Sequence, residues 1–201
     1  MIEKVPGYLQ KEQFQNLLFS PPVQSFRLGD WGGIIINGNA PTNKGVDVES
    51  EIAGYPYGGN DAADNSGVLT YVRVEFGGAK IDPETEHNGF TFNGVGNGTT
   101  VDYIEAWNGT DDGIEMFGGT VNLKHVVSWN NTDDGFDWTY GWTGNVQHMV
   151  IRTGDQGDRV SRLITRVTTM PLPRFSRSCN CKCHNYFIWY PERRQRESAG
   201  C

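Results

Sequence analysis

The sequence predicts an all-β fold, a right-handed parallel β-helix, and three observations carry that prediction. The first is a repeat. WNGTDDGIEMF (Trp107 to Phe117) recurs as WNNTDDGFDWT (Trp129 to Thr139), so that Trp107 and Trp129, Asp111 and Asp133, and Gly113 and Gly135 are each 22 residues apart. A weaker third copy sets Gly154, Asp155, Gln156 and Gly157 against Thr132, Asp133, Asp134 and Gly135 at the same spacing. A fixed period of this length marks a solenoid whose repeats stack as coils. The second is composition within the period. Val101, Tyr103, Ile104 and Trp107, then Val121, Val126, Val127 and Trp129, suit a pleated, half-buried surface. Each run is followed by Asp-Asp-Gly, whose residues supply tight corners. The third is the lack of any long run of strong helix formers at 3.6-residue spacing. Leucine-rich repeats share the period but need a leucine pattern that this chain lacks. The right-handed sense follows the general rule for parallel crossovers.

Taken in order, residues 1–28 show no clear period and read as an irregular or capping segment. Lys11 to Leu18 suits two helical turns, which Pro21-Pro22 would stop. Gly29 to Gly33 leads into Ile34-Ile35-Ile36, a short apolar strand. Val48 to Asp64 is polar and glycine-rich and reads as an excursion from the coil. Gly67 to Gly77 is the clearest strand, with Val68, Tyr71, Val72, Val74 and Phe76 as its apolar positions and Arg73 and Glu75 pointing the other way. Ala79 to Glu86 is a second insertion. His87-Asn88-Gly89-Phe90-Thr91-Phe92 then matches Asp111 to Met116 at an offset of 24 residues, so the coil resumes. Val146 to Ile151 is a further strand. At about 4.8 Å of rise per coil, 201 residues would make roughly six to eight coils.

Charge divides the chain. Residues 1–159 hold 25 of 26 glycines and 22 acids against 9 bases, net −13. Residues 160–201 hold one glycine, 8 bases, 2 acids and all four cysteines, net +6. The β-helix domain is therefore expected over 29–159, followed by a basic, cysteine-containing tail over 160–201 without regular structure. An anionic, aromatic, glycine-rich surface repels phosphate, which argues against nucleic acid. No stretch approaches the roughly 18 apolar residues of a membrane span.

GDWGGIIINGNAP, YGGNDAADNSGVLTYVRVEFGG and the long run from Asn88 to Gln147 together resemble a family of secreted or surface, lipoprotein-like bacterial parallel β-helices. The resemblance covers about 29–159. It implies export to the cell exterior or the outer-membrane surface, a longer β-helix, and no catalytic residues to carry over. Both ends depart from that pattern, and a shifted reading frame is one hypothesis. A frame compatible with Cys179 to Pro191 reads ATANVTIILFGI, and one compatible with Gly7 to Pro21 reads IPAKGTISKPIVFTS; both are strand-like. The nucleotide sequence across both ends tests this, and a sound frame sinks it.

Three groups of residues could carry chemistry. Asp111, Asp112, Asp133, Asp134 and Asp155, with Glu115 and Asp137 nearby, form an acid ladder. Carboxylates stacked about 4.8 Å apart could share Ca²⁺, with Asp111, Asp133 and Asp155 as ligands. They could also act as acid and base on a glycosidic bond, with Asp111, Asp112, Asp133 and Asp134 as the catalytic candidates. The plainest reading is that Asp and Gly make the recurring corner, beside an Asn108/Asn130 turn ladder. Asn131 to Asp137 resembles the Asn-Thr-Asp motif of polygalacturonase-type hydrolases, but their Gly-His-Gly and Arg-x-Lys motifs are missing. Trp138, Tyr140 and Trp142 are a dense aromatic cluster, either a sugar-stacking surface or core packing. Trp107 and Trp129 are expected to stack. Cys179, Cys181, Cys183 and His184 resemble soft metal ligands at a spacing unusual for zinc. His87, His125 and His148 have no nucleophile partner and read as coil-surface residues.

The functional expectation is a non-catalytic exported or cell-surface protein contacting polysaccharide or another surface component. Two rivals stand beside it: a polysaccharide lyase or glycoside hydrolase using the acid ladder, and a structural stalk fragment without a site. Two carboxylates some 5–9 Å apart in an open groove would favour the enzyme. Acids tied to backbone amides would count against it.

Overall fold

The computed structural model describes residues 27–52, 54–82, 85–154 and 156–157, together with the backbone of 161–164 and 184–188. Its strands are β1 (Ile34–Asn37), β2 (Val68–Glu75), β3 (Lys80–Asp82), β4 (Thr85–Glu86), β5 (Phe90–Asn93), β6 (Thr100–Trp107), β7 (Ile114–Phe117), β8 (Asn122–Trp129), β9 (Phe136–Thr139), β10 (Val146–Arg152), β11 (Ser161–Ile164) and β12 (His184–Ile188). Short strands stack in one parallel sheet, β1-β5-β7-β9-β11, and long strands in another, β2-β6-β8-β10-β12. Strands β3 and β4 form a small antiparallel hairpin. One coil is a short strand, a corner, a long strand and a second corner, which is the parallel β-helix the repeat predicts.

The register bears out the offsets read from sequence. Trp107 faces Trp129, and Phe90 faces Ile114. In the next coil Ser161 faces Phe136, 25 residues away, so the 22-residue period does not continue there. Asp155, the third member of the expected ladder, lies outside the described residues. Both β11 and β12 fall within the tail expected to be without regular structure. The cysteines of that tail and most of residues 1–28 also lie outside the described residues.

The core fills the coil interior. Phe90, Phe92, Ile114, Met116 and Phe136 point in from the short strands, and Val74, Val101, Ile104, Leu123, Val126 and Met149 from the long ones. Each such side chain contributes about 1.5–3 kcal/mol on burial. The long strands carry a bend that sequence alternation missed. Tyr71, Tyr103, His125 and His148 have φ between 50° and 59°. A left-handed residue resets the in-out alternation, so Leu69, Val72 and Val74 face inward, while Val68 and Tyr71 (79 % exposed) face out. The four corner rings stack, with centroids 4.7, 4.2 and 4.9 Å apart.

The first insertion positions the site. Residues 38–43 cross three coils, bonding Gly38 N to Asn93 O (2.8 Å), Gly119 N to Pro41 O (2.9 Å) and Asn43 N to Tyr140 O (2.9 Å). Gly118, at φ 68°, lets Thr42 approach; a Cβ there would lie 2.8 Å from Thr42 Cβ. Val48 then pairs with Tyr57, and this hairpin folds back over the short-strand sheet. Asn37 Nδ2 donates to Tyr55 O (3.1 Å), and Asn93 Nδ2 donates to Asn37 Oδ1 (2.8 Å) and Ser50 Oγ (3.5 Å). The outer face of that sheet, normally wet in a solenoid, is therefore roofed: Thr91 and Asp137 are buried.

Candidate functional site

Each repeat places its acids through the same local chemistry. A corner brings Asp-Asp-Gly up to a short strand, and the alternate outward position of that strand carries Glu115 or Asp137. In register, Glu115 faces Asp137. The corner acids come with them, because Gly113 N donates to Asp134 O (2.9 Å) and Asp134 N donates to Asp112 Oδ1 (2.9 Å). Gly113 is required by close approach: a Cβ would stand 2.2 Å from Ser128 Oγ and 2.6 Å from Asn131 Nδ2. Asn131 locks the corner by accepting from Gly109 N (2.8 Å) and donating to Ser128 Oγ (2.9 Å).

Two carboxylate triads result, sharing Asp112. In Asp111, Asp112 and Asp133, and again in Asp112, Glu115 and Asp137, one oxygen from each residue lies within 4.8 Å of the others. Asp137 is 1 % exposed. Burial pushes Asp112 up to about 9, with Asp111 adding to the shift. Burial, then Glu86 and Asp133, pushes Asp111 to about 7. Glu115 is raised well above the carboxylate range by burial and then by Asp112, Glu51 and Asp137. From the roof, Glu51 is also raised, by the protein around it and by Asp137. Tyr57, beside it, is raised by burial, Tyr140, Glu51 and Glu115.

Asn88 closes the inner triad. It is 3 % exposed, and its Nδ2 donates to Glu115 Oε2 (2.6 Å) and Thr91 Oγ1 (3.2 Å). Its Oδ1 is buried and has no hydrogen-bond partner among the described residues. The outer triad opens onto a column along the corner. The register places Trp31, His87, Asp111 and Asp133 in successive coils. Trp31 is 42 % exposed, and its Nε1 donates to Glu75 O (2.8 Å). Burial lowers the His87 imidazole. Lys80 pairs with Glu86 at the edge of this column.

The fold and this acid-lined short sheet meet a known family. The sequence profile of the pectate-lyase-like beta helix domain matches residues 17–163. The chain belongs to that family. No curated protein and no solved structure matches it.

Within this pectate-lyase-like β-helix, the residues singled out from sequence separate into two groups. Asp111, Asp112 and Asp133 do come together, with Glu115 and Asp137; Asp134 is fully buried behind them. The aromatic cluster is corrected. Trp142 is 9 % exposed, its Nε1 donates to Val121 O (3.1 Å), and its ring packs on Phe136. Trp138 packs edge-on against Trp142, and Tyr140 lies on Phe117 under Lys44. These rings fill the coil and its corner, so they do not form one exposed sugar-stacking surface. Trp107 and Trp129 stand side by side, each with a guanidinium over its face, from Arg73 and Arg152. The Asn108/Asn130 ladder is present, joined by Asn130 Nδ2 donating to Asn108 Oδ1 (2.6 Å). Sequence reasoning missed Glu51, Tyr57 and Asn88 as neighbours of the acids. Asn88 was detectable, since it occupies the Asp112 position of the preceding coil; the two roof residues lie in a segment outside the repeat.

Proposed function

We propose that this pectate-lyase-like β-helix is a non-catalytic, exported or cell-surface protein that binds a polysaccharide along the column Trp31, His87, Asp111 and Asp133. The observation that carries the reading is an exposed indole in line with partly buried carboxylates on successive coils. A ring face packs on a pyranose, and carboxylates accept its hydroxyl hydrogens. The rise per coil, about 4.8 Å, is close to the length of one sugar unit, so successive coils would meet successive sugars. Hydroxyl-rich neutral glycans suit the column; the acids repel polyuronates unless a cation intervenes. Affinity electrophoresis against neutral glycans, pectin and alginate tests this. Trp31→Ala and Asp111→Asn/Asp133→Asn should each weaken retention by neutral glycan about tenfold, the cost of one good contact. If the unaltered protein binds no glycan at all, the structural-stalk reading takes its place.

One observation favours an enzyme instead. At about 7, Asp111 carries a proton suited to general-acid work at neutral pH. Against this, the outer triad's oxygens within 4.8 Å are closer than the roughly 5–5.5 Å or 6.5–9.5 Å that flank a glycosidic bond in hydrolases. Asp112 is also tied to the Asp134 amide. Release of reducing ends that disappears in Asp111→Asn would establish the enzyme.

A further inference from the structure

We propose that Tyr71 and Tyr103 form an oxidative modification site, at which a one-electron oxidant of the haem-peroxidase and hydrogen-peroxide class joins the two rings carbon to carbon and staples β2 to β6. The site lies on the long-strand sheet and does not depend on glycan binding at the column. Three observations carry it. The rings stack with centroids 4.7 Å apart and planes 7° from parallel. Both are open to an oxidant, Tyr71 at 79 % and Tyr103 at 44 % exposure. Both are also held in place: each sits at a left-handed bend, φ 56° and 51°, between the register pairs Thr70–Asp102 and Val72–Ile104. His125 covers the other face of Tyr103, with centroids 4.2 Å apart. Asp102 Oδ1 fixes both of these residues, accepting from Tyr103 N (2.9 Å) and bonding His125 Nδ1 (2.7 Å).

The chemistry follows from this arrangement. Each phenol gives one electron to the oxidant and its hydroxyl proton to water, which leaves two phenoxyl radicals. Their unpaired spin sits on the oxygen and on the ring carbons ortho and para to it, and the para carbon already carries Cβ. The ortho carbons therefore bond across the stack. Each then loses its hydrogen as a proton, and a proton returns to each oxygen, so both rings are aromatic phenols again. In balance, the protein loses two hydrogen atoms and one hydrogen peroxide becomes two waters. Rings already parallel and in register avoid the entropy that a chance encounter would cost. The place gives the bond its consequence. Among the described residues β2 ends the long-strand sheet, with β6 as its one strand neighbour, and weakly held outer elements are the first to open.

The experiment treats the full chain with a haem peroxidase and hydrogen peroxide, isolates the monomer and digests it with trypsin. Cleavage after lysine and arginine puts Tyr71 in the peptide 45–73 and Tyr103, as its sole tyrosine, in the peptide 81–124. The two should be recovered as one linked species, lighter than their sum by two hydrogen atoms and carrying the blue fluorescence of a biphenol. Tyr71→Phe and Tyr103→Phe keep the ring but lack the hydroxyl, so each should abolish the link, whereas Tyr55→Phe should leave it in place. Unfolding in urea before oxidation should cut the yield of the link about tenfold or more, because the pre-set geometry is gone. The linked monomer should melt about 5–15 °C higher, the effect of closing the loop from Tyr71 to Tyr103 in a domain of this size. The proposal is overturned if the oxidised monomer holds no link between Tyr71 and Tyr103, if the link survives either of those two variants, if it forms as readily in urea, or if the linked monomer melts no higher than the unlinked one.

Discussion

At the scale of single residues, the corner is set by close approach more than by charge. Gly113 has no left-handed φ, yet the Ser128 hydroxyl and the Asn131 amide occupy the place of its Cβ. Gly113→Ala would force that pair apart and disturb the bonds Asn131 makes to Gly109 and Ser128. Overpacking of this kind costs about 1–3 kcal/mol, and a domain of this size loses about 2–4 °C of Tm for each kcal/mol. A melt of Gly113→Ala within 1 °C of the unaltered protein, on that same scale, would mean that the corner yields freely. In the sequence this glycine reads only as a turn residue. Its packing role was not visible, because the atoms it avoids arrive from the next coil.

At the scale of the element, the long strands were legible in position and misleading in phase. One unbroken pleat in phase with Val72 and Val74 puts Val68 inside and Leu69 outside, whereas Val68 is exposed and Leu69 faces the core. The left-handed residue at Tyr71, Tyr103, His125 and His148 divides each strand into two short ones. None of these is glycine or asparagine, so composition gave no sign of a corner. Stacking of the rings from coil to coil, with His125 Nδ1 bonded to Asp102 Oδ1 (2.7 Å), holds the conformation. Asparagine tolerates a left-handed backbone, whereas a β-branched residue there is strained by about 1–3 kcal/mol. His125→Val should therefore be less stable than His125→Asn by about 1–2 kcal/mol in urea unfolding, with equal m-values. Equal midpoints would show that the ladder, not the backbone, sets the cost. The short strands were more legible, since the Asp-Asp-Gly offset of 22 and the His-Asn-Gly offset of 24 gave their register.

At the scale of the whole molecule, the repeat dictated the solenoid but not the roof. An insertion outside the period has no partner that spacing can name, so the burial of Glu115 and Asp137 could not be foreseen. That burial has a consequence for the stability of the entire chain. The buried acids favour the proton: relative to an ordinary value of 3.8, Asp111 is held at about 7 and Asp112 at about 9. Glu115 and Glu51 shift in the same direction. A carboxyl raised on folding contributes stability that is complete below its unfolded value and is lost as pH rises through its folded one. The protein should therefore lose Tm steadily between pH 4 and pH 9, the window set by Asp111 and Asp112. His87, lowered from 6.5, works the other way, destabilising the fold as pH falls below that value. It is one group against four, and the net slope over the window stays negative. Thermal melts across this range read the slope. A Tm that rises with pH would show that the acids are ionised and compensated within the protein itself.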